Sequence, residues 1–483
     1  MKIRTRFAPS PTGYMHIGNL RTALYEYLVA KKDNGDFILR IEDTDQGRLV
    51  EGATDIIYDT LKEVGLLHDE GPDIGGDFGP YIQSQRLSMY KKYADELVEL
   101  GGAHYCFCSE DEIEKQRKYA EVNNESFKFI DPCKHVSIEE AKQRIANNET
   151  YTVRQNIPSF GTTSFVDLVY GKIEVENSSL DESILLKSDG FPTYNFANIV
   201  DDHQMNITHV VRGNEYLSST PKYNLIYEAY NWEIPTYIHV PPVMKDETHK
   251  LSKRNGDASF QDLVAKGYLP EAILNYIALL GWSPEDEQEI FTLEELCKVF
   301  NVSRINKSPA IFDIDKLTWM NGMYIRNKSL DEFYDLAQPY INQSVKKDLD
   351  KKAIAKILQP RCEKLNDIVE LVDFFDELPA YDIEMYIHKK MKTTYDISIQ
   401  SLNACKDALS NLNNFDETTL HDTLLALPAQ LELKNGQLLW PLRTAITGKQ
   451  FTPGGAIEIA AILGKEETLK RIDIGLEQLK ATI

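Results

Sequence analysis

Cysteine is scarce: six in 483 residues, three of them crowded between positions 106 and 133. That scarcity excludes a disulfide-stapled secreted scaffold and suits a reducing compartment. No stretch reaches the ~18 consecutive apolar residues of a membrane span. The best run, Ala272 to Trp282, is broken by Asn275. The opening Met1-Lys-Ile-Arg-Thr-Arg-Phe7 lacks the apolar core of a signal peptide. Glycine (26) and proline (20) are not in excess, and 27% charged residues is ordinary, so wholesale disorder is excluded. Positive charge is also short, with 53 Lys and Arg against 75 Asp and Glu, a net of −22. So acidic a chain does not coat nucleic acid through its overall charge, and any such contact needs a local basic track. The expectation is a soluble, cytoplasmic protein with no membrane partner and about three domains, at roughly 150 residues per domain.

Ile3, Thr5 and Phe7 alternate with Arg4 and Arg6, which predicts a strand ending at Pro9 and Pro11. Apolar positions 20, 23, 24, 27 and 28 predict a helix that stops at Asn34-Gly35, and Phe37 to Ile41 reads as a second strand. Strand, loop, helix and strand within 40 residues make a βαβ unit with a parallel sheet. From about 93 to 186 the character changes to a Cys/His cluster, a polar stretch (Glu110 to Glu125) and strand-like runs at 151–154 and 164–170. This has the look of an insertion, after which 183–186 and 208–211 return to strand character. Beyond about 260 the apolar windows (264–280, 293–299, 365–378, 456–462) are helical, and strand signals nearly vanish after Tyr324.

Two motifs invite phosphate chemistry. Pro9-Ser-Pro-Thr-Gly-Tyr-Met-His-Ile-Gly-Asn19 lies between the first strand and the first helix, where free helix N–H groups favour an anion. Gly13 and Gly18 let a nucleotide approach the backbone, and His16 can donate to a phosphoryl oxygen. The second, His249-Lys-Leu-Ser-Lys-Arg254, puts three cations and a hydroxyl before an Asn-Gly-Asp turn. Such a loop can clamp a polyphosphate, although a basic pentamer alone is as readily a solvated patch. A third cluster, Cys106-Phe-Cys108, 24 residues, then Cys133-Lys-His135, has the donors of a closed tetrahedral zinc site. By spacing His135 is the fourth ligand. The other cysteines, Cys297, Cys362 and Cys405, read as buried or half-buried thiols in helices.

H-I-G-N after a first strand, with K-L-S-K-R about 230 residues later, resembles the signature pair of the class I aminoacyl-tRNA synthetases. Arg6-Phe-Ala-Pro-Ser-Pro-Thr-Gly13, Arg40-Ile-Glu-Asp-Thr-Asp45, Ser188-Asp-Gly-Phe-Pro-Thr-Tyr194, Asn198-Ile-Val-Asp-Asp-His203, the Arg212 segment and Pro441-Leu-Arg-Thr-Ala-Ile-Thr-Gly448 resemble the bacterial glutamyl-tRNA synthetases. Asn19 replaces the second His of the general motif, as that subgroup allows, and Leu251 and Arg254 match its usual form.

The resemblance implies that L-glutamate is activated with ATP and Mg²⁺ and passed to tRNA-Glu, with charging of tRNA-Gln left open. It implies catalysis by His16, Lys250, Lys253 and Arg254, and an ATP site of Thr12, His16, Gly18, Asn19, Lys250, Ser252 and Lys253. It further implies a glutamate site of Arg6, Ala8, Ser10, Glu42, Tyr194, Asn198 and Arg212, and a structural Zn²⁺ on Cys106, Cys108, Cys133 and His135. The expected fold is a Rossmann-type α/β catalytic domain (1–92 and 187–231) with a zinc-containing acceptor-binding insertion (93–186). A stem-contact domain with the K-L-S-K-R loop (232–325) and two helical anticodon-binding subdomains (326–385 and 386–483) complete a monomer. Lys346 to Lys364, with seven basic residues against three acidic, is the expected basic track for tRNA. A short transferase acting on a tRNA base is disfavoured by the helical half, and a silent RNA-binding paralogue by the intact phosphate motifs. A glutaminyl enzyme is disfavoured by the R-F-A-P-S start and by the helical rather than β-barrel C-terminus.

Overall fold

A computed structural model describes residues 2–124, 127–251 and 259–482. The chain forms two compact units, Met1–Leu263 with Ile273–Asp313, and Val264–Ala272 with Ile314–Ile483. The first unit opens with β1 (Arg4–Phe7), α1 (Ile17–Lys32) and β2 (Asp36–Leu39), and β1 and β2 pair in parallel with Arg4 opposite Asp36. Most of the expected apolar stripe is buried: Leu20, Ala23, Leu24 and Leu28 lose almost all contact with solvent, as does Ile17, while Tyr27 is half-buried. The return from α1 is tight enough that a Cβ on Gly35 would sit 2.4 Å from the Ile3 carbonyl oxygen. Glycine there is a steric requirement.

Next come α2 (Ala53–Glu63), α3 (Leu87–Glu99), β3 (Ala103–Cys106), α4 (Glu110–Val122), α5 (Ile138–Ala146), β4 (Thr152–Gln155), β5 (Thr162–Asp167) and β6 (Gly171–Glu176). Then follow β7 (Ile184–Leu186), α6 (Tyr194–Gln204), β8 (His209–Gly213), α7 (Thr220–Tyr230) and β9 (Thr236–Val240). One sheet runs β3-β4-β7 and is antiparallel; the other runs β6-β5-β9-β8, with β9 parallel to both neighbours. The Thr208 N–H donates to the Arg4 carbonyl (3.0 Å), bringing the chain back beside β1 after the long excursion. The polar stretch from Glu110 folds as α4 because Ser109 and Glu112 form a reciprocal capping box. Its one buried residue is Ala120, so α4 rests on local helix signals and little core.

The second unit is helical: Ile314–Asn327, Leu330–Ser344, Lys351–Leu358, Tyr395–Ser410, Glu417–Gln430, Asn435–Thr447 and Ala456–Thr482, the last interrupted by non-helical Gly464. One apolar cluster runs through it from Leu269 to Leu479. The window expected as a helix at 365–378 is instead a chain of short turns, Leu365–Asp367, Ile368–Val372 and Asp373–Phe375. Phe374 and Phe375, at the end of this run, are both fully buried. Cys362 is buried but follows the turn Gln359–Arg361 and so lies outside a helix, while Cys405 is buried within one.

Candidate active site

The loop after β1 turns at Gly13, whose φ of +111° lies in the left-handed region. His16 then caps α1: its Nδ1 accepts from the Gly18 N–H at 3.0 Å. Its Nε2 lies 3.3 Å from the Leu251 carbonyl, so the neutral ring carries its proton there and donates to it. A side chain on Gly18 would bring a Cβ to 3.0 Å from that same Nδ1. The stretch beyond the second motif returns to the same place, with the Phe260 N–H donating to the Met15 carbonyl at 2.9 Å. The two motifs, some 230 residues apart in sequence, therefore meet at His16. Ser252, Lys253 and Arg254 lie outside the described residues.

Around this junction is a cavity of about 920 Å³. From the expected phosphate site it is lined by Thr12, His16, Gly18, Asn19 and Lys250. From the expected amino-acid site it is lined by Arg6, Ala8, Ser10, Glu42, Tyr194 and Arg212. Asn198 is not on the wall; it is buried on α6 with its amide nitrogen unpartnered.

Behind the wall is a network of buried charge. Arg6 Nε donates to Asp202 and Nη1 to Glu26, both at 2.9 Å. Arg40, fully buried, donates to Asp202 at 2.7 Å and to Glu42 at 3.0 Å. Burial alone would raise Asp202, but the pull of Arg6 and Arg40 outweighs it and holds its carboxyl below the usual range. Glu42 is raised, because burial outweighs the pull of Arg40 and Arg6. Glu26 is pushed up to about 8 by burial, despite Arg6. Buried carboxylates in this setting need their arginines, since an unpaired buried charge is expensive.

Residues 2–319 match the family model described as tRNA synthetases class I (E and Q), catalytic domain. The chain belongs to this class I synthetase family. Residues 332–476 match an anticodon binding domain. A glutamate–tRNA ligase of Clostridium botulinum (strain Hall) is 61% identical over 480 residues, 99% of each chain. That of Clostridium tetani is 59% identical over 482 residues, covering 100% of this chain and 99% of the other. A glutamate tRNA ligase from Elizabethkingia meningosepticum, solved in complex with its amino acid, superposes with a TM-score of 0.90 at 32% identity, covering 99% of this chain and 100% of that one.

The synthetase's cysteine cluster differs from expectation in one donor. The ligand atoms of Cys106, Cys108, Cys133 and Asp131 all lie within 4.8 Å of one another. His135 is exposed and outside that group. The reason is local: Asp131 caps the turn Pro132–His135 by accepting from the Cys133 N–H at 2.8 Å, which folds its carboxylate back onto the thiols. His104 and Arg154 hold the other oxygen, at 3.0 and 3.5 Å. Three sulfurs and one carboxylate fit the donor chemistry of a closed zinc site. Burial pushes the Cys106 thiol up to about 11, so its sulfur would need a cation to become a thiolate.

Sequence reasoning also missed Glu26, Arg40, Asp201 and Asp202. Three were in view without a role: Arg40 at the head of the Arg40–Asp45 segment, and Asp201 and Asp202 as the Asp-Asp pair of the Asn198 segment. Asp201 holds Arg86 Nε at 2.8 Å and Gln83 Nε2 at 2.8 Å. Glu26 lacked any signal, because it lies outside the apolar stripe of α1, a helix that is in fact buried on nearly every side. Among the described residues no helix is long and apolar enough to cross a membrane.

Proposed function

We propose that this synthetase is a glutamate–tRNA ligase working in the cytoplasm as a monomer. One observation carries the reading: a single cavity joins the His16 end of α1, suited to phosphate, with a buried Arg212 that has no carboxylate in ion-pairing reach among the described residues. A cation left so needs an anion, and an amino-acid carboxylate supplies one as a bidentate fork. The curated relatives at 57–61% identity support the same substrate.

In the proposed reaction an oxygen of the glutamate α-carboxylate attacks the α-phosphorus of ATP, and pyrophosphate leaves. A terminal ribose hydroxyl of tRNA then attacks the mixed anhydride and AMP leaves. Chemistry of this kind depends on positioning and charge rather than on a protein nucleophile. The α1 N-terminus, Thr12, Gly18 and Asn19 receive the nucleotide, with His16 donating from Nε2 to phosphoryl oxygen. Lys250, Ser252, Lys253 and Arg254 balance the leaving pyrophosphate. Mg²⁺, when bound with ATP, neutralises phosphate charge. Arg6 and Arg212 receive carboxylate, Glu42 the ammonium, and Ala8, Ser10, Tyr194 and Asn198 complete the amino-acid site. Cys106, Cys108, Cys133 and Asp131 would hold a structural Zn²⁺ that staples the 93–186 insertion. The domain limits 1–92 with 187–231, 232–325, 326–385 and 386–483 belong to the same proposal, the last two binding the anticodon arm.

The deciding assay charges purified tRNA-Glu and tRNA-Gln with labelled glutamate and ATP. Charging of tRNA-Glu is expected. Charging of both would mark a non-discriminating enzyme, and charging of neither would overturn the ligase reading.

A further inference from the structure

Arg6 and Arg212 are both buried at the cavity, yet they are held in opposite ways. Arg6 is flanked by two carboxylates, Glu26 and Asp202. Arg212 is held by neutral acceptors. Its Nε donates to His239 Nε2 at 3.1 Å, and its Nη2 donates to Thr220 Oγ1 at 2.6 Å. Arg212 on β8 and His239 on β9 are direct register partners, so the contact is built into the strand pairing.

The hydrogen bonds determine the state of the imidazole. Arginine only donates, so Nε2 of His239 must present its lone pair. The ring is therefore neutral with its proton on Nδ1, which donates to Asp167 Oδ2 at 2.7 Å. Asp167 is fully buried and pinned as an acceptor. Its Oδ2 also takes the His239 backbone N–H (2.9 Å), and its Oδ1 takes the N–H groups of Val169 (2.9 Å) and Tyr170 (2.7 Å). A carboxylate with that many donors does not change partners easily, and it leaves the ring one tautomer.

We propose that Asp167 and His239 are positioning residues that aim Arg212 at the amino-acid carboxylate and set the enzyme's affinity for glutamate. This rests on reading the cavity as the glutamate site. The chain Asp167–His239–Arg212 delivers a positive charge to the cavity, and among the described residues no carboxylate ion-pairs with Arg212 although Glu42 and Glu215 line the same cavity, so the substrate is the compensating charge. Protonation of His239 would set N–H against N–H at Arg212 and release the guanidinium. The groups facing the ring are Asp167 from β5, Arg212 from β8, Glu215 from the turn between β8 and α7, and Thr220 from α7. Burial and Arg212 outweigh Asp167 and keep the ring's pKa below its ordinary value, so the neutral form holds at neutral pH.

Steady-state charging with the full chain, tRNA-Glu, ATP and L-glutamate tests this. H239L removes both hydrogen bonds and should raise KM for glutamate about tenfold or more, with KM for ATP within about twofold. H239Q can accept from Arg212 and donate to Asp167, and should keep KM for glutamate within about threefold. D167N should resemble H239L, because its amide can donate to Nδ1 and turn the lone pair away from Arg212. In the wild type KM for glutamate should climb at pH below the ordinary imidazole range, a limb that H239Q should lack. Unchanged glutamate KM in H239L overturns the relay. Equal loss in H239L and H239Q, in both KM values and in Tm, also overturns it by reducing His239 to packing. A wild-type chain that transfers no glutamate overturns the functional reading and the relay together, whereas an active wild type with an indifferent H239L overturns the relay alone.

Discussion

The two compact units bury different things. In the first, Arg6, Glu26, Arg40, Glu42, Arg86, Asp201 and Asp202 are all nearly inaccessible, and each leans on another of the set. In the second, among the described residues, the buried polar side chains are hydroxyls and Asn321, with Arg471 the one buried charge. Even Arg471 spends its guanidinium on the Phe374 and Ile446 carbonyls and on Glu467. Paired buried charge is poor value for stability, since apolar residues of the same shape do as well or better. Its concentration around one cavity marks that unit as the place where chemistry outranks stability, while the helical unit keeps a hydrocarbon interior.

The proposed zinc site gives the strongest way to sharpen this contrast. If Cys106, Cys108, Cys133 and Asp131 hold zinc, Cys133→Ser and Asp131→Ala should abolish its binding and unfold the segment around β3 and α5, whereas His135→Ala should leave it in place. Apparent metal contributions to small folds reach ~10 kcal/mol, so this is the largest effect expected. Elemental analysis with hydrogen exchange over 103–155 reads it out, and zinc lost from His135→Ala but retained in Asp131→Ala would reverse the donor assignment.

Asp202→Ala comes next. It strands Arg6 and Arg40 in the interior and should cost about 3–5 kcal/mol in the first unit, abolishing charging. Acid should do the same thing more gradually. The folded carboxyls of Asp202 and Asp167 lie below their ordinary values, so their stabilisation is present above the unfolded carboxylate pKa of ~4 and is lost as pH falls through the folded value. Among the lowered carboxylates of the second unit, Glu332, Asp376 and Asp416 are exposed and Glu467 is half-buried beside Arg471, whereas Asp202 and Asp167 are buried, so hydrogen exchange at falling pH should open the first unit before the second. The reverse order would break the comparison.

Leu442→Ala probes the other interior. Leu442 is fully buried in the helix Asn435–Thr447, and its truncation should cost about 2–5 kcal/mol by lost burial and cavity formation. Hydrogen exchange should register it in the second unit, with KM for glutamate unchanged.

Legibility in the sequence followed the same division. The second unit was readable as helices because apolar spacing is a local signal, and the reading failed at 365–378, where the apolar run is divided into short turns. In the first unit β1, α1 and β2 were readable, as was the seat of His16, because turn glycines and strand alternation are local too. Asp202, His239 and Asp131 were not. Each acts through a partner from another segment: Arg6 some 196 residues away, Asp167 72 away, and Cys108 across the α4 excursion. No window of sequence contains such a pairing. The expected His135 shows the same limit in reverse, since Cys-x-His spacing says nothing about which way the turn at Asp131 faces.

The smallest effect tests how far local signals alone sustain the helical unit. Ser329 and Glu332 cap the helix Leu330–Ser344 reciprocally: the Glu332 N–H donates to Ser329 Oγ, and the Glu332 carboxylate accepts from the Ser329 N–H at 2.9 Å. Ser329→Ala removes one of these bonds and leaves a helix N–H to water, a loss of about 1 kcal/mol. For a unit of 150–250 residues that is roughly 2–4 °C in Tm. Calorimetry should find the shift confined to the second unit, with KM for ATP and glutamate unmoved. A shift well beyond that would mean that the cap holds the apolar cluster together as well as starting a helix. The interior around Phe333, 0% exposed and one turn along, would then depend on a polar contact much as the charged interior of the first unit does.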